Sequence, residues 1–166
     1  MMNPYISWPV FAMVSTASVV DIRTRRIPNW LTLPSLLAGV VMNAIGSGWS
    51  GVTHSVEGIA LAIAMVGVLC AIRAMGLGDL KLCAAVGAWI GPASLAFALV
   101  VTAMAGGVLA IAYATWRGNL GVVLGRTASL SLPDPSKRFS DYHAEGLTIP
   151  YAPAIAFGVV IAFFAA

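Results

Sequence analysis

The chain has 166 residues, 60% of them hydrophobic and only 9% charged, with a formal net charge of +3. Soluble domains are about 45–50% apolar and about 25% charged, so a mean hydropathy of +0.92 excludes a water-soluble globule, whose surface could not be covered, and a disordered chain. Two cysteines are too few for a disulfide scaffold.

What remains is an all-α polytopic membrane protein, a single integral domain over residues 1–166. The nine Lys and Arg read as topology signals and as contacts to the lipid bilayer, not as a nucleic-acid footprint. Six apolar runs succeed one another, at residues 4–20, 30–45, 58–75, 80–90, 93–116 and 149–166. A hydrocarbon core about 30 Å thick takes roughly 20 helical residues. Four runs approach that length, the fifth would tilt, and the run 80–90 is short.

The first run lacks a basic leader and contains Pro4 and Pro9, so it is expected to be a retained helix. It ends at Asp21, with Arg23, Arg25 and Arg26 beyond. Pro28 and Asn29 suit the start of the second helix, the one as an N-terminal proline and the other as a cap. The junction 46–57 carries no Lys or Arg, and Glu57 is expected to open the third helix, where a carboxylate is favoured. Arg73 and Lys81 bracket the next junction, and Gly91-Pro92 turns the chain without a basic residue. Arg117, Arg126, Lys137 and Arg138 lie in a polar stretch, about 117–148, that reads as a cytoplasmic loop with Asp134, Asp141 and Glu145 solvated. All the basic residues thus fall in alternate connections. That pattern predicts six transmembrane helices, N- and C-termini outside, and connections one, three and five in the cytoplasm.

Acids at membrane depth are the informative residues. Asp21 closes the first run. Asp79 lies in Gly76-Leu77-Gly78-Asp79-Leu80-Lys81, where the glycines permit tight geometry. Twelve helical residues from Asp79 to the Gly91-Pro92 turn span only about 18 Å at 1.5 Å each. Asp79 therefore sits below the cytoplasmic surface, tolerable where irregular backbone lines a wet cavity. Two carboxyls sharing such a site cannot easily both ionise, so a proton is shared, and the pair can activate water without a cofactor. No metal site is expected, since Cys70, Cys83, His54 and His143 are scattered, and the cysteines read as packing residues.

Asp21, followed after five intervening residues by Ile27-Pro28-Asn29 in the Asp…Ile-Pro-Asn pattern, resembles the first motif of type IV prepilin peptidases, and residues 76–81 resemble their second, GxGDxK. The tail Thr148-Ile149-Pro150-Tyr151-Ala152-Pro153 is similar to the last-helix element of these GxGD intramembrane aspartyl proteases, with Ala152 where Gly is commoner. The resemblance implies that Asp21 and Asp79 are the catalytic pair, that Gly76 and Gly78 let the loop bring Asp79 to the site, and that Lys81 positions or neutralises nearby charge. It also implies an aspartic-type endopeptidase of the bacterial inner membrane, cutting the basic leader from prepilin substrates at the cytoplasmic face. No Cys-x-x-Cys insertion separates Asp21 from Pro28. The chain thus resembles the short, peptidase-only form of tight-adherence (Flp) pilus systems, without N-methylation; archaeal preflagellin peptidases are similarly short. A small proton-coupled transporter and a non-catalytic pilus-assembly subunit are the other classes open to two membrane-boundary acids. The sequence leaves the oligomeric state open.

Overall fold

In the computed structural model the described residues are 4–24, 27–71, 75–116 and 152–165. Arg25, Arg26, Arg73, the polar stretch 117–148, Pro150 and Tyr151 lie outside them, so the expectations for those residues do too. Four α-helices are present among the described residues: α1 (Pro4–Thr24), α2 (Asn29–Ala71), α3 (Leu77–Trp116) and α4 (Ala152–Ala165). Two stretches, Asn29–Ala71 and Leu77–Val108, are long and apolar enough to cross a membrane. The first apolar run extends further than expected: α1 carries on to Thr24, so that Asp21 stands inside its last turns.

Both long helices are broken once. Gly48 (φ 60°, ψ −136°) interrupts α2 and Gly91 (φ 73°, ψ −178°) interrupts α3. Such backbone is open to glycine and nearly closed to other residues. Each break joins two helical arms, so the described residues form six helical segments. The second break falls at the expected Gly91-Pro92 turn. The first corrects an expectation. Residues 46–57 are helical on both sides of Gly48, and Glu57 lies nine residues past it, exposed within the arm instead of opening it. The run Gly46-Ser47-Gly48-Trp49-Ser50-Gly51 has loop composition, but only one of its residues needs to leave helical geometry. The hydroxyls of Ser50 and Thr53 donate to the Ser47 and Ser50 carbonyls (2.7 and 2.9 Å), tying down the first turns of the resumed helix.

The core lies around the first arm of α3, whose residues 82–90 are buried without interruption. A helix apolar on every side must be enclosed by others, and α2 encloses it. Gly58 and Gly87 meet backbone to backbone, and the Trp89 ring lies over Gly39 with its Nε1 donating to Ser35 O (2.8 Å). Small residues at crossings let apolar helices approach closely. Just before the Gly91 break the last carbonyls of the arm lose their helical partners. Asn43 Nδ2 is placed to donate to Ala88 O (2.9 Å), Trp89 O (3.2 Å) and Ser55 Oγ (2.9 Å), and Ser55 Oγ donates to Ala88 O (2.7 Å). α4 packs on α3 and on α1, where Phe11 and Phe163 meet at 4.9 Å between ring centroids.

Candidate active site

The end of the bundle opposite the two breaks gathers the chemistry-bearing segments. Asp21 reaches it near the end of α1, Asn29 at the start of α2, Cys70 at the end of α2, Asp79 at the start of α3 and Ala152 at the start of α4.

Pro28 O accepts from Leu31 N (3.2 Å) and Thr32 N (3.4 Å), so Pro28 supplies the first helical acceptor of α2. The expectation for Pro28 and Asn29 as the helix start therefore holds, but Asn29 does not cap with its side chain. Its Oδ1 instead accepts from Lys81 Nζ at 2.9 Å, a bond across 52 residues of chain. The ammonium is the stronger donor, and charge-assisted bonds outcompete neutral ones.

Gly76 plays the corresponding role for α3: its carbonyl accepts from Asp79 N (3.1 Å) and Leu80 N (3.4 Å), and also from the Cys70 thiol (3.4 Å). Asp79 thus sits in the first turn of α3, where the helix dipole favours a carboxylate. Gly76 lies under its Oδ2, where a Cβ would come within 3.4 Å. Gly78 faces Ile27, whose Cβ would be 3.3 Å from a side chain placed there. Ile27, Pro28 and Asn29 therefore pack directly on the Gly76–Lys81 turn. Cys83 is buried one turn below Asp79 and Cys70 is half-buried beside the turn, in keeping with packing roles.

Asp21 is 7% exposed, and its Oδ2 accepts the backbone N–H of Ala152 at 3.3 Å. That donor belongs to the first turn of α4, so the tail segment closes on Asp21. An alanine is accommodated there, fully buried, in place of the glycine that the resembling pattern favours. Asp21, near the end of α1, and Asp79, in the first turn of α3, are thus brought from different helices to the same end of the bundle. Among the described residues no ion pair joins Lys81 to a carboxylate, and its Nζ bonds Asn29 instead. No group of three or more His, Cys, Asp or Glu among the described residues could hold a metal ion.

Sequence reasoning missed the Ala152 amide and the Cys70 thiol as members of this constellation. The Pro-Tyr-Ala-Pro tail was the one signal pointing to the first; nothing in the sequence pointed to the second.

The arrangement defines a class: a helical membrane protein with two carboxyls held at one end of its bundle by helix termini. Residues 8–111, more than half the chain, match the model of the Type IV leader peptidase family, and the chain belongs to that family of aspartic-type endopeptidases. It is similar to proteins named prepilin leader peptidase/N-methyltransferase. That of Burkholderia pseudomallei is 35% identical over 115 residues, covering 66% of this chain and 37% of the relative. That of Escherichia coli is 37% identical over 106 residues, covering 58% and 45%. That of Neisseria gonorrhoeae is 31% identical over 115 residues, covering 65% and 40%. The chain thus spans about two fifths of the length of these curated relatives. No solved structure matches it.

Proposed function

We propose that this chain is an intramembrane endopeptidase that removes the basic leader of Flp-like prepilins at the cytoplasmic face of the inner membrane. The observation that carries the reading is the placement of Asp21 and Asp79 at the same end of the bundle, with Ala152 bonded to Asp21 and the Ile27–Asn29 segment packed on the Gly76–Lys81 turn that holds Asp79. A protonated carboxyl of the pair polarises the scissile carbonyl while the ionised one takes a proton from water. The tetrahedral intermediate collapses with protonation of the departing amine, and the leader leaves on the aqueous side.

The whole chain acts as one membrane domain with six crossings and both termini outside. The six helical segments and the alternation of basic connections support that topology. It puts Asp21 and Asp79 on the cytoplasmic side, since both adjoin basic connections. The relatives' names join a methyltransferase to the peptidase; this chain has no Cys-x-x-Cys between Asp21 and Pro28, which supports peptidase activity alone.

The test is a mobility-shift assay with a co-expressed prepilin. Asp21→Asn and Asp79→Asn each abolish processing while the protein remains in the membrane at the level of the unsubstituted chain. Processing by either variant removes that residue from the catalytic pair. Incubation with methyl-labelled S-adenosylmethionine gives no labelled pilin; a labelled product overturns the peptidase-only assignment.

A further inference from the structure

A groove of about 200 Å³ runs beside the candidate site, between the two arms of α2 and the start of α3. Its walls are apolar, among them Leu36, Ile63, Leu80 and Ala84, and Lys81 stands on its rim. The order along the membrane normal is informative. Lys81 and Asn29 belong to the first turns of their helices, at the end of the bundle. Leu36 and Ala84 come one or two turns further in. The groove therefore offers a cation at the interface and apolar walls beneath it.

The cation is held in place. Lys81 Nζ donates to Asn29 Oδ1 at 2.9 Å, which bridges α3 to α2 and fixes the ammonium over the groove. Asn29 supplies a neutral oxygen, so the positive charge is uncompensated among the described residues. Asp79 does not compensate it either: two residues of helix turn its side chain about 200° away from that of Lys81, and Lys81 Nζ bonds Asn29 instead.

From this arrangement we infer that the groove holds an acyl chain of an anionic phospholipid, with the lipid phosphate on Lys81. Basic positions between transmembrane helices near the cytoplasmic surface bind anionic headgroups, and here the charge and the chain-sized hollow are continuous. The hollow of about 200 Å³ has room for a run of methylenes. Charge separates this occupant from an apolar peptide helix: a lipid phosphate meets the ammonium on the rim, and an apolar helix offers it nothing. The lipid would stand two residues from Asp79, so that membrane composition bears on the turn that carries this acid. The inference is independent of the peptidase reading, because it is tested by binding.

The experiment is native mass spectrometry of the full chain in detergent, with phosphatidylglycerol or phosphatidylcholine of identical acyl chains. The chain retains one phosphatidylglycerol several-fold more strongly than phosphatidylcholine. Lys81→Gln brings the two lipids to parity. Ile63→Trp, which fills the groove from its exposed wall, lowers retention of both, and Leu33→Trp serves if that variant fails to elute as a single species. Equal retention of both lipids by the unsubstituted chain overturns the inference, as does unchanged phosphatidylglycerol retention in the variants. Displacement of the lipid by millimolar inorganic phosphate reduces the site to a bare cation and also overturns it. So does displacement by a synthetic apolar helical peptide, which would assign the groove to a helix.

Discussion

The hydrogen bond from Ala152 N–H to Asp21 connects residues 131 positions apart, and only the backbone of Ala152 takes part. A bond to a charged group contributes about 1.5–3 kcal/mol, and at 3.3 Å this one belongs to the lower part of that range. Ala152→Pro removes the donor while keeping a residue suited to the first helical position. Prepilin processing by that variant is expected to fall roughly tenfold, since about 1.4 kcal/mol is a factor of ten in rate. Ala152→Gly, which keeps the amide, stays near the starting rate. A comparable fall in both would assign the effect to the buried methyl group. At Gly78, where Ile27 would be 3.3 Å from an added Cβ, Gly78→Ala asks for a shift of a few tenths of an ångström, but Gly78→Leu forces the Ile27–Asn29 segment away. Processing should survive the first substitution in part and be lost with the second. The sequence singled out Asp21 and Asp79 as candidates because a charge in an apolar chain has few tolerable positions. It did not show what surrounds them. A backbone amide leaves no mark in a sequence, and the Asn29–Lys81 bond depends on two helix starts meeting in space.

At the level of the helix, the two breaks are chemically alike but differently surrounded. An added Cβ at Gly48 meets nothing within 4 Å, whereas at Gly91 it collides with the His54 ring. Such sparsely populated positive-φ backbone costs a non-glycine residue roughly 1–3 kcal/mol, so Gly48→Ala should lower the thermal midpoint in detergent by that strain alone. Gly91→Ala should lower it further, and combining it with His54→Ala should narrow the difference between the two sites. The Gly91 turn was readable because Gly-Pro both ends one helix and starts another. The Gly48 turn was placed only within a twelve-residue junction, since small polar residues look alike whether they form a loop or continue a helix. The Asn43–Ser55 clamp on Ala88 and Trp89 carbonyls was invisible for a similar reason: Asn43 sits in an apolar run with nothing local to mark its partner. Asn43→Ala takes the donor from the Trp89 carbonyl, while Ala88 O keeps Ser55, at about 1–3 kcal/mol for the carbonyl left unpaired. It is expected to destabilise the protein in the same thermal assay more than substitution of the exposed Thr53.

On the scale of the molecule, composition and the placement of Lys and Arg were enough to anticipate an all-helical membrane protein, and the helices bear that out. Sidedness is the part that rests on charge alone, and substituted cysteines test it. In a background lacking Cys70 and Cys83, Ser47→Cys and Ala93→Cys, both at exposed positions beside the breaks, should react with a membrane-impermeant maleimide added to intact cells. Thr24→Cys, at the other end of the bundle, should react only after permeabilisation. The reverse pattern would turn the proposed topology over and put Asp21 and Asp79 on the wrong side for a cytoplasmic leader.

The single-residue bends at Gly48 and Gly91 have a practical corollary for anyone handling the protein in cells. A protease needs several residues of extended chain to engage its target, and at these bends helix resumes on either side of one glycine. Shaving that side of the membrane should therefore leave both hairpins uncut, and an epitope inserted at either bend would have to bring its own spacer to be seen by an antibody.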